Sequence, residues 1–244
     1  MPHPSPGFPQ PNPAPLQKSP PPPAGAQRRA RRKNARPGEL LEAALDLFVA
    51  KGYAATRVEE VAARAGVSKG TLFLYYPSKE ELFKAVVRES IAGRFGEWQL
   101  ELDNFEGDSV ALLRRCYAVW WQRIGSTKAA GITKLMFSEA RNFPALARFY
   151  HQEVTEPGTA LGRRILERGI ARGEIRDLDL NTGIYLVLAP MMFLMLWQNS
   201  MASCLPGACG TADTAPSNAP LRFSPEAYLA AQAENLLLGL VPRA

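Results

Sequence analysis

Lys69, Gly70, Thr71, Phe73 and Tyr75 crowd into seven residues that hold no carboxylate. A lysine ammonium can donate to guanine O6 and N7, and a threonine can meet a phosphate or a thymine methyl. A glycine between them lets a backbone come close to whatever surface it faces. That chemistry suits the edges of a nucleic-acid duplex, where charge and shape do the reading. Leu72 and Tyr76, four apart within the same run, fall to the inward side.

The elements that hold these residues are legible around them. Thr56 with Glu59 fits a capping box, and Val58, Val61, Ala62 and Ala65 come after it at helical spacing. Gly66 is placed to end that helix, and Ser68 to cap the next, whose exposed first turn is Lys69, Gly70 and Thr71. Pro77 stops it, and Ser78 with Glu81 forms a second capping box ahead of Leu82 and Phe83. Small residues at Ala62, Ala65 and Gly66 let two helices cross closely. The sum is a helix-turn-helix, whose second helix lies in the major groove.

The run AGVSKGTLFLYYPSKEEL, Ala65 to Leu82, resembles the DNA-binding signature of the TetR family of bacterial regulators, with the likeness extending from about Gly38 to Val87. The resemblance implies that Lys69, Gly70, Thr71 and Phe73 contact bases or nearby backbone, and that Thr56, Tyr75 and Lys79 hold phosphates. Phe73 stands where the family more often has tyrosine, so a polar contact there lacks its hydroxyl. Arg57 and Arg36 complete the set of expected DNA contacts.

Charge is placed to match. Residues 1–88 hold 14 Lys and Arg against 7 Asp and Glu, whereas the remainder holds 15 against 16. The basic excess therefore lies beside the groove-reading residues, as a polyanionic partner requires. Residues 1 to about 27 carry 11 of the 21 prolines and read as a disordered or polyproline tail. Arg28, Arg29, Arg31, Arg32, Lys33 and Arg36 come next as a basic arm suited to a minor groove or to phosphates.

Several classes are excluded. The chain has no Gly-rich phosphate loop, no HExxH and no nucleophile elbow, and His151 is the one histidine beyond the tail, so catalysis is not expected. Cys116, Cys204 and Cys209 build neither a disulfide framework nor, with His3 and His151, a zinc site. No metal or cofactor is expected, and the thiols imply a reducing, cytoplasmic setting. The most apolar run, Ile184 to Trp197, is 14 residues and short for a bilayer span, so no membrane is expected.

The remaining chain reads as helix throughout. A first helix runs from Pro37 to Lys51 with Leu41, Ala44, Leu45 and Phe48 on one face, closed by Gly52. A fourth starts at Lys79 and extends to about Leu102, with Gly93 and Gly96 marking a bend. Further helices are expected at Val110–Ile124, Ala129–Ala140, Pro144–Ala171 with a break near Pro157, Leu180–Ser200 and Pro225–Leu240. Met201 to Phe223 reads as a long loop. The fold class is all-α: a tail and arm over residues 1–36, a helix-turn-helix domain over 37–84, and a helical bundle over 85–244.

One short helix reads too few base pairs to be found in a genome, so a two-fold dimer on a palindromic double-stranded DNA operator is expected. The resemblance implies a homodimer through Leu180–Ser200 and Pro225–Leu240, with Leu186, Met191, Met195, Leu236 and Leu240 as candidates alongside an intramolecular role. It also implies a cavity for an unknown small-molecule effector among the later helices. Trp120, Trp121, Phe137, Arg141, His151 and Met192 are the candidates to touch it, an apolar or aromatic compound suiting such walls. The FSEARNFP run at Phe137–Pro144 and the RGEIRDLD run at Arg172–Asp179 also look like effector domains of that family. The expected protein is a ligand-responsive regulator, a repressor that leaves DNA when its effector binds. The alternative is an architectural DNA binder of the same fold without a small-molecule switch.

Overall fold

The computed structural model describes residues 37–202 and 224–240. The Pro-rich tail, the basic arm with Arg36, Cys204, Cys209 and the expected loop beyond Ala202 lie outside the described residues.

Every regular element among the described residues is a helix. The order is α1 (Pro37–Ala55), α2 (Val58–Arg64), α3 (Lys69–Tyr75), α4 (Lys79–Ser90), α5 (Phe95–Asp103), α6 (Ser109–Trp120), α7 (Ala129–Glu139), α8 (Pro144–Tyr150), α9 (Glu156–Ala171), α10 (Leu180–Gln198) and α11 (Pro225–Leu240). A 3-10 turn, Ala92–Arg94, joins α4 to α5, and the expected single helix from Lys79 to Leu102 is broken at Ile91. Two π-helical turns, Trp121–Gly125 after α6 and His151–Thr155 after α8, widen the rods locally. The second immediately precedes Pro157, whose ring and missing N–H do not fit a regular α-turn.

The first four helices share a tightly filled core. Leu40, Ala44 and Phe48 of α1, Val61 of α2, Leu72 of α3, and Leu82, Phe83, Val86 and Val87 of α4 are all fully buried. The α1 face is turned slightly from the expected one: Leu40, Ala43, Ala44, Leu47 and Phe48 are inside, while Leu41 and Leu45 are half-buried. Gly52 bends the end of α1 with φ of 83°, where a Cβ is strained, and Gly66 ends α2 with φ of 71°. Ser68 and Ser78 cap as expected, accepting from the backbone N–H of Thr71 and Glu81. The Thr56–Glu59 capping box does not form. Arg57 takes the cap position without a side-chain bond, and Glu59 pairs with Lys69 instead.

α4 packs against α1, α7 and α8, so the expected domain boundary at residues 84–85 falls inside one continuous helix. The second half is built on α10, which packs against α7, α9 and α11. At 19 residues α10 is long and apolar enough to cross a bilayer, longer than the 14-residue run suggested. In the fold it is a core helix: Ile184, Val187, Leu194 and Met195 are buried, whereas Tyr185, Leu186 and Phe193 are exposed. Of the expected dimer residues, Met195 and Leu240 are buried within the chain, and Met191 and Leu236 are half-buried. Leu186 alone of the five faces outward.

Candidate nucleic-acid interface and ligand cavity

Leu72 pins the inner side of α3 at zero exposure, which turns Lys69, Gly70, Phe73, Leu74 and Tyr75 outward. Phe73 is 36% and Tyr75 44% exposed, so both rings lie open despite being large and apolar. Thr71 is half-buried, its hydroxyl 2.9 Å from Ser68 Oγ at the cap. Lys69 Nζ lies 2.6 Å from Glu59 Oε1 and 5.6 Å from the Phe73 ring centroid. The ammonium holds the exposed Glu59 carboxyl below its usual range, chiefly by this hydrogen bond. Arg57 is exposed at the start of α2.

Two expected phosphate contacts point elsewhere. Thr56 is 1% exposed, and its hydroxyl donates to the Gly52 carbonyl at 2.7 Å and the Leu47 carbonyl at 3.1 Å. Lys79 Nζ donates to the carbonyls of Tyr53 at 2.8 Å, Thr56 at 3.0 Å and Ala54 at 3.1 Å, which uses all three of its protons. It also sits 4.5 Å from the Tyr53 ring centroid, and burial pulls its pKa down. Both side chains close the carbonyl-rich end of α1, which the Gly52 bend leaves without helical donors.

The other side of that bend belongs to α7. Glu139 accepts from the backbone N–H of Tyr53 at 2.9 Å and of Ala54 at 3.2 Å. A Cβ on Gly52 would stand 2.4 Å from Glu139 Oε1, so the missing side chain admits the carboxylate. Tyr53 then packs edge-on against Phe143 at 4.7 Å and against Phe83 at 5.3 Å. Nearby, Asp46 of α1 holds Arg64 of α2 and Lys128 at the start of α7, each at 2.5 Å. Burial works to raise the Asp46 carboxyl, and the bonds from Lys128 and Arg64 outweigh it and hold it below its usual value. The Phe137–Pro144 run thus seats the end of α1 through Glu139 and Phe143.

Behind that seat lies a partly open cavity of about 200 Å³, lined by residues of α5–α10 and the turns between them. Its wall is mostly apolar: Phe95, Trp98, Leu113, Cys116, Trp120, Phe137, Val154, Met191, Met192 and Met195 contribute. Its polar lining includes Glu101 and Arg115, which pair with each other, and Thr155 and Thr159. Tyr117 donates to the Val187 carbonyl at 2.6 Å, and the Thr133 and Tyr150 hydroxyls share a buried bond of 2.7 Å. Burial raises the pKa of Tyr150 to about 12 and of Cys116 to about 11, so both stay protonated. The buried Trp98 indole N–H has no hydrogen-bond partner among the described residues.

Trp120, Phe137 and Met192 line this space as expected. Three candidates do not. Trp121 faces α11, its indole donating to Glu226 at 2.7 Å, while Arg141 is exposed and His151 is exposed beside Glu156. Trp98, Cys116, Tyr117, Thr133 and Tyr150 were missed. The fourth helix breaks at Ile91, two residues before the first of the two glycines expected to mark a bend, and Trp98 lies on the helix that follows.

Fold and surfaces define a helix-turn-helix head joined to a helical domain that holds a largely apolar cavity. Residues 40–86 match the sequence profile described as bacterial regulatory proteins, tetR family, and residues 103–203 match that described as tetracyclin repressor-like, C-terminal domain. The chain belongs to the TetR family. It is 28% identical to the HTH-type transcriptional repressor KstR2 of Rhodococcus jostii over 184 residues, 75% of this chain and 86% of that protein. Its fold is similar to that of the transcriptional regulator FadR from Bacillus subtilis in complex with stearoyl-CoA, at 19% identity and TM-score 0.66 over 84% of this chain and 99% of that one. It is similar too to the ketosteroid transcriptional regulator KstR2 of Mycobacterium tuberculosis, at 21% identity and TM-score 0.60 over 86% of this chain and 97% of that one.

Proposed function

We propose that this protein is a transcriptional repressor that holds a palindromic operator as a homodimer and leaves it when an apolar effector enters the cavity. The observation that carries the reading is the double duty of α7. Thr133 and Phe137 form part of the cavity wall, and Glu139, at the end of the same helix, holds the backbone of the reading head. A ligand that needs a wider cavity displaces α7, and with it the amide clamp at Gly52. The effector must prefer that displaced arrangement, since equal affinity for both would shift nothing.

The cavity favours a ligand with a largely apolar body. Acyl thioesters and ketosteroids, the compounds named for the similar proteins, are the two classes to try. Dimerisation uses the outward side of α10, where Tyr185, Leu186 and Phe193 leave an apolar stripe in water. Arg57, Lys69, Thr71, Phe73 and Tyr75 meet the operator, with Thr56 and Lys79 supporting them from beneath.

The test begins with operator selection from genomic fragments, and continues with release titrations using a long-chain acyl-CoA and a ketosteroid. One class releases DNA from the native protein, and Glu139→Ala weakens operator binding with no ligand present. Selective DNA binding that neither compound class nor Glu139→Ala alters would overturn the switch and leave an architectural binder.

A further inference from the structure

Leu74 stands out on the surface of α3. It is 85% exposed, more than any other large apolar side chain among the described residues, and it lies in the middle of the helix that reads DNA. Its position is set by the buried residue opposite. With about 100° between successive residues, Gly70 and Leu74 fall about 160° and 200° round the helix from Leu72. They straddle the line that projects furthest from the protein. Lys69 and Phe73 form one shoulder of that ridge, and Thr71 and Tyr75 the other.

The crest of α3 therefore carries no hydrogen-bonding side chain. Gly70 adds no bulk, and no atom outside its own backbone neighbourhood comes closer than 3.8 Å to where its Cβ would be. Leucine cannot donate or accept, so it cannot tell guanine from adenine by hydrogen bonds. Among the groups on the major-groove edges of base pairs, the thymine C5 methyl is the apolar one. We infer that Leu74 selects a thymine in each half-site by packing on its C5 methyl, with Gly70 letting the helix sit deep enough for contact. This rests on the operator reading above and adds a specificity residue to it. Lys69 serves the neighbouring base pair, and Leu74 fixes the register.

The test removes one methyl group. Each thymine of a bound operator half-site is replaced in turn by deoxyuridine, and Kd is measured for the native protein and for Leu74→Ala. At one position the native protein loses about fourfold in affinity per half-site, the worth of one buried methyl. Leu74→Ala binds the two DNAs equally, and its exposed position leaves stability unchanged, checked by thermal unfolding. Native protein indifferent to every replacement overturns the inference, as does Leu74→Ala that discriminates as before, which gives the methyl to Phe73. Failure to bind any operator would instead count against the DNA-binding reading, so the two failures are distinct.

Discussion

The first four helices and the seven after them are packed to different ends. In the head, Leu40, Phe48, Val61, Leu72, Leu82 and Phe83 close on one another with nothing left over, and Phe48, Tyr53 and Phe83 interlock as rings. In the half behind it, large side chains line a space of about 200 Å³ that none of them fills. A filled core resists deformation, because every displacement costs contacts. An underfilled one can adjust its walls, and the three methionines at 191, 192 and 195 are the side chains best able to do so. The head holds one geometry and the rear half offers several, with α4 and α7 shared between them.

Substitutions can break that contrast or sharpen it. Gly52→Ala strikes where the two regions meet: it forces an alanine into left-handed backbone and drives its methyl into Glu139. The expected loss is about 3 kcal/mol of unfolding free energy by urea titration, with operator binding lost alongside. Lys69→Ala removes a surface contact only. It should weaken operator binding by about 2 kcal/mol in a fluorescence titration, with the melting temperature unchanged. Lys79→Ala should do the reverse, since its protons are bound within the chain.

Filling the cavity tests the other side. Cys116→Phe grows into unfilled space and should change stability by less than about 1.5 kcal/mol. It should keep operator binding and abolish release by the effector, measured in one titration. Ser68→Ala removes the cap of α3 and should cost about 1 kcal/mol. That loss belongs to the head, so hydrogen exchange should rise in α3 and not in α10.

The smallest effect is a pH dependence. Asp46 titrates below its ordinary value of 3.8 when folded, so its pairing with Lys128 and Arg64 contributes fully above that value. The contribution is lost as pH falls through the lower folded value. Stability measured by denaturant should hold steady from neutrality to about pH 5 and decline below about pH 4, and Asp46→Asn should flatten that decline.

The head was legible because its signals are local. Ser68 and Ser78 each cap the next helix, Gly66 ends the one before, and Leu72 sits inward, all within the span of a few residues. Thr56 and Lys79 obeyed the same local pattern and turned inward nonetheless. The bend at Gly52 leaves several carbonyls unmet, and those two side chains were the donors within reach. In the rear half, residue type failed to say which way a side chain faces. Trp121 and His151 each open a π-helical turn, where an extra residue rotates the next turn of helix away from the 3.6-residue period. Trp98 reaches the cavity beyond the break at Ile91, and although Gly93 and Gly96 marked a bend there, glycines do not say which way the next helix turns.

The ion pair between Lys69 and Glu59 bears on how steeply binding should respond to electrolyte. A cation facing only solvent would shed an ordered anion or displace counter-ions from the duplex as it docks. Lys69 must first part from a carboxylate of its own chain, which then takes up a cation from the medium. Docking Lys69 on a base edge therefore costs its pair with Glu59, and since salt weakens that pair too, the residue offsets part of the salt dependence of the phosphate contacts. Glu59→Gln frees the ammonium beforehand and should strengthen binding most at low ionic strength, with the gain shrinking as salt rises, because the head then gives up no carboxylate of its own on docking.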